Sequence, residues 1–122
     1  MSNQIQNPNS EKKYDLGERT AIFGEKMIEL SQSLTKSPIN NSLVSQGIRA
    51  ATSVGANYCE ADGAESKKDF RHKIAICKKE AKETMHWLRM IAKANLDKSK
   101  ECRILWKEAH ELALIFSSIM KK

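Results

Sequence analysis

The sequence predicts an all-α domain, an antiparallel up-down-up-down four-helix bundle, and three observations carry that expectation. Apolar residues recur along most of the chain at alternating spacings of three and four, the repeat that gathers side chains on one face of a helix. Aromatic residues make up only 6% and there are two prolines in 122 residues, too few for the strands and turns of an all-β sandwich. A composition of 40% hydrophobic and 30% charged residues suits a soluble helical chain, and the length fits one core better than two.

Residues 1–13, rich in Asn, Gln and Ser and including Pro8, offer little to bury and are expected to form a disordered tail, with the bundle occupying 14–122. Asp15 followed by Glu18 resembles a capping box that opens the first helix. Leu16, Thr20, Phe23, Met27, Leu30 and Leu34 then form its inner stripe, and Ser37-Pro38 follows its end. Asn40 or Asn41 can cap the second helix, which runs through Leu43 and Tyr58 to about Ala61, with Gly63 as its exit. Gly47, Ala51 and Gly55 fall at i, i+4 and i+8 on one face of this helix, so almost no side chain separates it from a neighbour there.

Ser66 with Asp69 opens the third helix, whose inner stripe is Phe70, Ile74, Cys77, Ala81, Thr84, Leu88 and Ile91. Asn95 and Asp97 mark the next break, and the fourth helix repeats the pattern at Cys102, Leu105, Ala109, Leu112, Phe116 and Ile119. Short connections between helices of this length predict crossing angles of roughly 20°. Ile76, Trp87 and Met90 flank the third helix's stripe, and Ile104, Trp106 and Ile115 lie off that of the fourth. This surplus fits either a broad core face or a subunit interface.

Charge is the strongest clue to function. Residues 66–95 hold nine basic and three acidic side chains, a net of +6 that equals the charge of the whole chain. Lys68, His72, Lys79, Lys82, His86, Arg89 and Lys93 keep the three-and-four spacing, interrupted only at Ala75, and run two residues out of phase with the inner stripe. Two residues are about 200° of helical rotation, which puts this acid-free stripe on the outer side. Lys67, Arg71 and Lys78 widen it. A solvated face that keeps the protein soluble is the plain alternative, but such faces usually mix signs. The candidate nucleic-acid-binding set is therefore Lys68, Arg71, Lys78, Lys79, Lys82, Arg89 and Lys93, spaced to meet successive phosphates. Aromatic residues are absent from the stripe, which favours backbone contact over base reading.

A second constellation is polar. Arg49, Ser53, Asn57 and Glu60 lie along one side of the second helix, and Glu80 and Glu83 flank the third helix's stripe. An Arg49–glutamate pair across these helices would satisfy groups costly to bury and would fix register, so Arg49, Glu60, Glu80 and Glu83 are expected to form a structural network. No histidine or nucleophile is placed to complete a mechanism with these carboxylates, and no catalytic residue, cofactor or metal ligand is assigned. Glu83-x-x-His86 matches one element of a di-iron bundle, which needs two such elements and two further glutamates; His86 moreover belongs to the outer stripe. Cys59, Cys77 and Cys102 contain no C-x-x-C pair and lie on or beside apolar faces, as reduced core residues of a cytoplasmic protein would. No apolar run approaches the roughly 18 residues that a membrane helix needs, so no membrane partner is expected.

Several of these residues also carry a resemblance. Tyr14-Asp15-Leu16-x-Glu18-Arg19-Thr20-x-x-Phe23, Arg49-x-Ala51-x-Ser53-Val54-x-Ala56-Asn57-Tyr58-x-Glu60-Ala61, Asp69-Phe70-x-x-Lys73-Ile74 and Lys79-Glu80-Ala81-x-Glu83-Thr84-x-x-Trp87-Leu88 resemble the bacterial four-helix bundle family of ribosomal RNA intervening-sequence proteins. Some members are encoded in insertions within large-subunit ribosomal RNA genes, and one branch is the accessory protein of diversity-generating retroelements. The resemblance covers the chain from Tyr14 onward. It implies a ring-like homopentamer and shifts the surplus apolar surface toward a subunit interface; for the retroelement branch it implies nucleic acid and a reverse transcriptase as partners. For most members no activity is known, and the resemblance assigns none.

Together these expectations describe a non-enzymatic, cytoplasmic homo-oligomer that presents a basic surface to RNA or DNA. The alternative is a protein-interaction scaffold, such as an accessory subunit of a reverse transcriptase, whose basic face meets an acidic protein.

Overall fold

A computed structural model describes residues 15–122; the tail expected over 1–13, and Tyr14, lie outside the described residues. Four α-helices account for most of the described chain, with no strand among the described residues. Helix α1 is Leu16–Gln32, α2 Pro38–Asp62, α3 Lys67–Ala94 and α4 Ser99–Met120, with a 3₁₀ turn at Leu96–Lys98 leading into α4.

The helix starts follow from side-chain capping. The Asp15 carboxylate accepts from the Glu18 backbone N–H at 3.2 Å, and the Ser66 hydroxyl accepts from that of Asp69 at 3.0 Å, each satisfying a donor that the first turn leaves free. Helix α2 begins earlier than the Asn40 or Asn41 cap expected from the sequence. Ser37 is its cap, accepting from the Asn40 N–H at 3.0 Å, and Pro38 lies in its first turn. Proline is well placed there, because the N–H it lacks would have no intrahelical partner and its φ is already helical. At the other end Gly63 stops α2 with φ −98°, a right-handed conformation open to any residue.

Helix α2 packs between α1 and α3, α3 packs on α4, and α4 closes against α1. The inner stripe of α1 is buried from Leu16 to Leu30; Leu34, expected from its spacing to belong to the same helix, is also buried but lies in the connection beyond the helix end at Gln32. In α3, Ile74, Cys77, Ala81, Thr84, Leu88 and Ile91 are buried, and in α4 so are Cys102, Leu105, Ala109, Leu112 and Phe116. Phe70 and Ile119, the outermost members of those two stripes, are half-buried. Each large apolar side chain removed from water in this way contributes about 1.5–3 kcal/mol.

Helix α2 supplies mainly small residues, Ala50, Ala51, Val54 and Ala61, and so lets its neighbours approach. A Cβ on Gly55 would stand 3.4 Å from both the carbonyl oxygen and the hydroxyl of Thr20 on α1, and one on Gly24 would stand 3.5 Å from Thr52 Cγ2 on α2. Backbone thus faces backbone where α1 crosses α2, and dispersion contacts are dense there.

Candidate nucleic-acid interface

The 28 residues of α3 form the longest helix, about 42 Å at 1.5 Å per residue. Its inner stripe faces the core, so a line two residues out of phase must face outward. Lys68, His72, Lys79, Lys82, His86, Arg89 and Lys93 are all exposed, as are Lys67 and Arg71, while Lys78 is half-buried at the edge of the face. Among the described residues Lys68, Arg71, Lys78, Lys82, Arg89 and Lys93 have no acidic partner within 4.0 Å, and Lys79 reaches only Glu80 Oε2, at 3.8 Å. The charges of this face are therefore not neutralised locally. The outer side of α4 extends it: Arg103 and Lys107, both exposed, share a groove with Arg89. Their i, i+4 spacing was visible in the sequence, but segment charge hid them, since 96–122 carries six basic and four acidic groups.

The polar residues of α2 and α3 form two separate pairings. Arg49 Nη1 donates to Glu80 Oε1 at 3.3 Å, its Nη2 pairs with Glu83, and its Nε donates to Gln46 at 3.4 Å. Glu80 is only 6% exposed, so Arg49 on one side and Lys79 on the other offset the cost of burying its charge. Glu83 also accepts from the indole N–H of Trp87 at 2.9 Å. Glu60 stands apart from this set. Eleven residues, about 16 Å of helix, separate it from Arg49, and it pairs instead with Lys73 Nζ at 2.6 Å. That hydrogen bond is the main reason the Lys73 ammonium is held above its usual pKa range.

A third pairing joins the first and last helices. Arg19 grips Glu108 with two parallel hydrogen bonds, Nε to Oε2 at 2.7 Å and Nη2 to Oε1 at 2.9 Å, and its Nη2 also pairs with Glu111. The guanidinium pKa is raised, chiefly by the Glu108 bond. Sequence reasoning did not single out this fork, because no spacing rule connects residues 89 positions apart.

Nothing in these pairings resembles an acid–base or metal centre. Glu83 is occupied by Arg49 and Trp87, and the exposed His86 ring packs edge-on to Trp87 at 4.9 Å. Among the described residues no three His, Cys, Asp or Glu side chains converge as a metal site, and no helix is long and apolar enough to cross a membrane. Cys77 and Cys102 are buried, and burial pushes their thiols up to about 12 and about 11. Cys59 is exposed, not part of the core as its helical position suggested; it lies on the outward side of α2, between the half-buried Tyr58 and Glu60.

Comparison with known proteins is consistent with this architecture. A crystal structure of a protein of unknown function from the S23 ribosomal protein family of Bacteroides thetaiotaomicron VPI-5482 superposes with a TM-score of 0.77 at 25% sequence identity, covering 87% of this chain and 98% of that one. No curated protein matches the chain. The model of the 23S rRNA-intervening sequence protein family matches residues 12–118. With nearly the whole chain covered, this protein belongs to the 23S rRNA-intervening sequence protein family.

Proposed function

We propose that this chain is a non-enzymatic bundle that self-associates into a ring-like homo-oligomer, a pentamer by family resemblance, and binds the phosphate backbone of RNA or DNA with little sequence preference. One observation carries the reading: the outer face of α3 is a line of exposed cations without an acid in it, and most of them have no partner among the described residues. Cations about one helical turn apart suit phosphates, whose neutralisation releases counterions. The bundle over 14–122 is taken as antiparallel. Asn40, near the start of α2, meets Asn95 at the end of α3, and Glu60, near the end of α2, meets Lys73 near the start of α3, which supports that sense. A cytoplasmic setting belongs to the same reading, supported by three unpaired cysteines.

Self-association is supported by large apolar side chains left in solvent. Leu96 is 75% exposed, Ile39 66%, Ile104 58% and Leu114 56%. Of the surplus residues marked in the sequence, Ile104 belongs to this apolar surface; Trp106 is exposed beside Arg89, Arg103 and Lys107 and is not counted with it, and Ile76, Trp87, Met90 and Ile115 are half-buried. Repetition of a weak basic site around a closed oligomer would raise avidity by roughly 10²-fold or more where the geometry lets one strand reach several sites.

The test is the combined replacement of Lys79, Lys82, Arg89 and Lys93 by glutamine. Circular dichroism and oligomer mass should be unchanged, because all four are exposed on the face turned from the core, while affinity for RNA and DNA should collapse. Undiminished binding would leave the face as a solvated surface or the docking site of an acidic protein such as a reverse transcriptase.

A further inference from the structure

Between α3 and α4 runs a groove of about 450 Å³, within the range of roughly 300–1,000 Å³ common for ligand sites. Its floor is apolar, formed by the buried side chains of Leu88 and Cys102. Its wall is Trp106, a tryptophan left 37% exposed. Its rim carries Arg89, Arg103 and Lys107, no acidic residue lines it, and none of the three cations has an acidic partner among the described residues.

The Trp106 ring is oriented, not loose. His110, one helical turn on, stacks against it with ring centroids 5.4 Å apart and planes 29° from parallel. Its indole N–H has no hydrogen-bond partner among the described residues, whereas that of Trp87 is bound by Glu83. The groove therefore offers an oriented aromatic surface and an unused donor, with three cations among the residues that line it.

An occupant that matches all of these is flat, aromatic and anionic. We infer that this groove takes an unpaired base of a single-stranded nucleic acid, stacked on Trp106, with the adjoining phosphates held by Arg89, Arg103 and Lys107. This rests on the backbone-binding function proposed above and refines it to single strands. Arg89 belongs both to the outer stripe of α3 and to the rim of the groove, so a strand following the stripe passes its mouth. A duplex keeps its base faces stacked within the helix and cannot present one to Trp106, whereas a single strand can, and base–aromatic stacking tolerates any base.

The test is Trp106→Leu in the full chain, with affinity measured by fluorescence anisotropy for a single-stranded oligo(dT) and a mixed-sequence duplex, each of about 20 units, longer than the roughly 4–16-nucleotide footprint common for such sites. The single strand should bind about 5-fold or more weakly, the duplex should bind as before, and Trp106→Phe should recover much of the loss. In Trp87→Phe, where Trp106 is the sole tryptophan, the single strand should quench fluorescence and the duplex should not; this readout does not depend on the folding of the leucine variant. Equal single-strand binding by wild type and Trp106→Leu, equal losses on both ligands, absence of quenching, or a reduced oligomer mass for Trp106→Leu would each overturn the inference, the last by making the groove a subunit contact. If the fourfold glutamine variant loses binding while Trp106→Leu does not, the groove alone fails. If the wild type binds neither ligand, the backbone-binding function fails with it.

Discussion

Asn40 and Asn95 exchange hydrogen bonds in both directions, the Nδ2 of Asn40 donating to Oδ1 of Asn95 at 3.0 Å and the Nδ2 of Asn95 donating back at 2.8 Å. The amide of Asn40 also donates to the Thr35 carbonyl at 2.7 Å, and that of Asn95 to the Ile91 carbonyl at 2.9 Å. One amide pair therefore fastens the α1–α2 connection, the first turn of α2 and the end of α3. Asn40 is buried, so its partners cannot readily turn to water instead.

Asn40→Ala should destabilise the bundle by about 1–3 kcal/mol, the cost of leaving buried polar groups unpaired. Chemical denaturation of the variant beside the wild type measures this. An unchanged midpoint and slope would mean that the pair closes nothing.

Gly55 separates two effects of size. Gly55→Ala places a methyl 3.4 Å from the Thr20 carbonyl oxygen, an ordinary contact, and gains up to about 1 kcal/mol of helix propensity, so its stability should change little or rise. Gly55→Leu must push α1 away, and overpacking of this kind costs about 1–3 kcal/mol. Thermal unfolding should rank the leucine variant lowest; a leucine variant more stable than the wild type would show that α1 and α2 do not meet backbone to backbone.

The cysteines should divide by reactivity. An aromatic disulfide reagent should titrate Cys59 quickly in the native protein and reach Cys77 and Cys102 only in denaturant. Burial raises the pKa of Cys77 to about 12 and that of Cys102 to about 11 from the ordinary 9.0. The native state thus keeps protons that the unfolded chain has lost, so this stability is complete below pH 9 and is lost as pH climbs toward 11 and 12. Cys77→Ser does not titrate there and keeps a donor for the Val54 carbonyl, which Cys77 Sγ contacts at 3.5 Å. Its loss of stability above pH 9 should be shallower than that of the wild type, by up to about 1.4 kcal/mol per pH unit. Identical alkaline limbs would contradict the burial of this thiol.

Assembly is accessible to light scattering. At micromolar concentration the protein should show a mass several times its 13.8 kDa. A monomer would remove both the ring and its avidity.

The sequence was most informative where a single helix decides the outcome. The inner stripes of α1, α3 and α4 are set by rotation about each helix's own axis, and their positions from Leu16 to Phe116 are buried as the spacing predicts, apart from the half-buried Phe70 at the end of its stripe and from Leu34, which is buried beyond the end of α1. The outward placement of Lys79, Lys82, Arg89 and Lys93 follows from the same rotation. Relations between helices were less legible. The fork of Arg19 on Glu108, the Asn40–Asn95 exchange and the meeting of Arg89 with Arg103 and Lys107 depend on which helices are neighbours and at what height, which periodicity does not encode. The start of α2 was misread for a local reason: α1 already stops at Gln32, and Pro38, which looked like a breaker between helices, lies in the first turn of α2 behind the Ser37 cap.

The central claim, that the outer face of α3 meets phosphates, is tested most directly by salt dependence. For the wild type, log affinity should fall with log salt at a slope of about −0.7 to −0.9 per phosphate neutralised, with little dependence on base sequence. The variant lacking Lys79, Lys82, Arg89 and Lys93 should give a slope shallower by about 0.7 to 0.9 for each phosphate that it no longer neutralises. Parallel slopes for the two proteins would contradict the account.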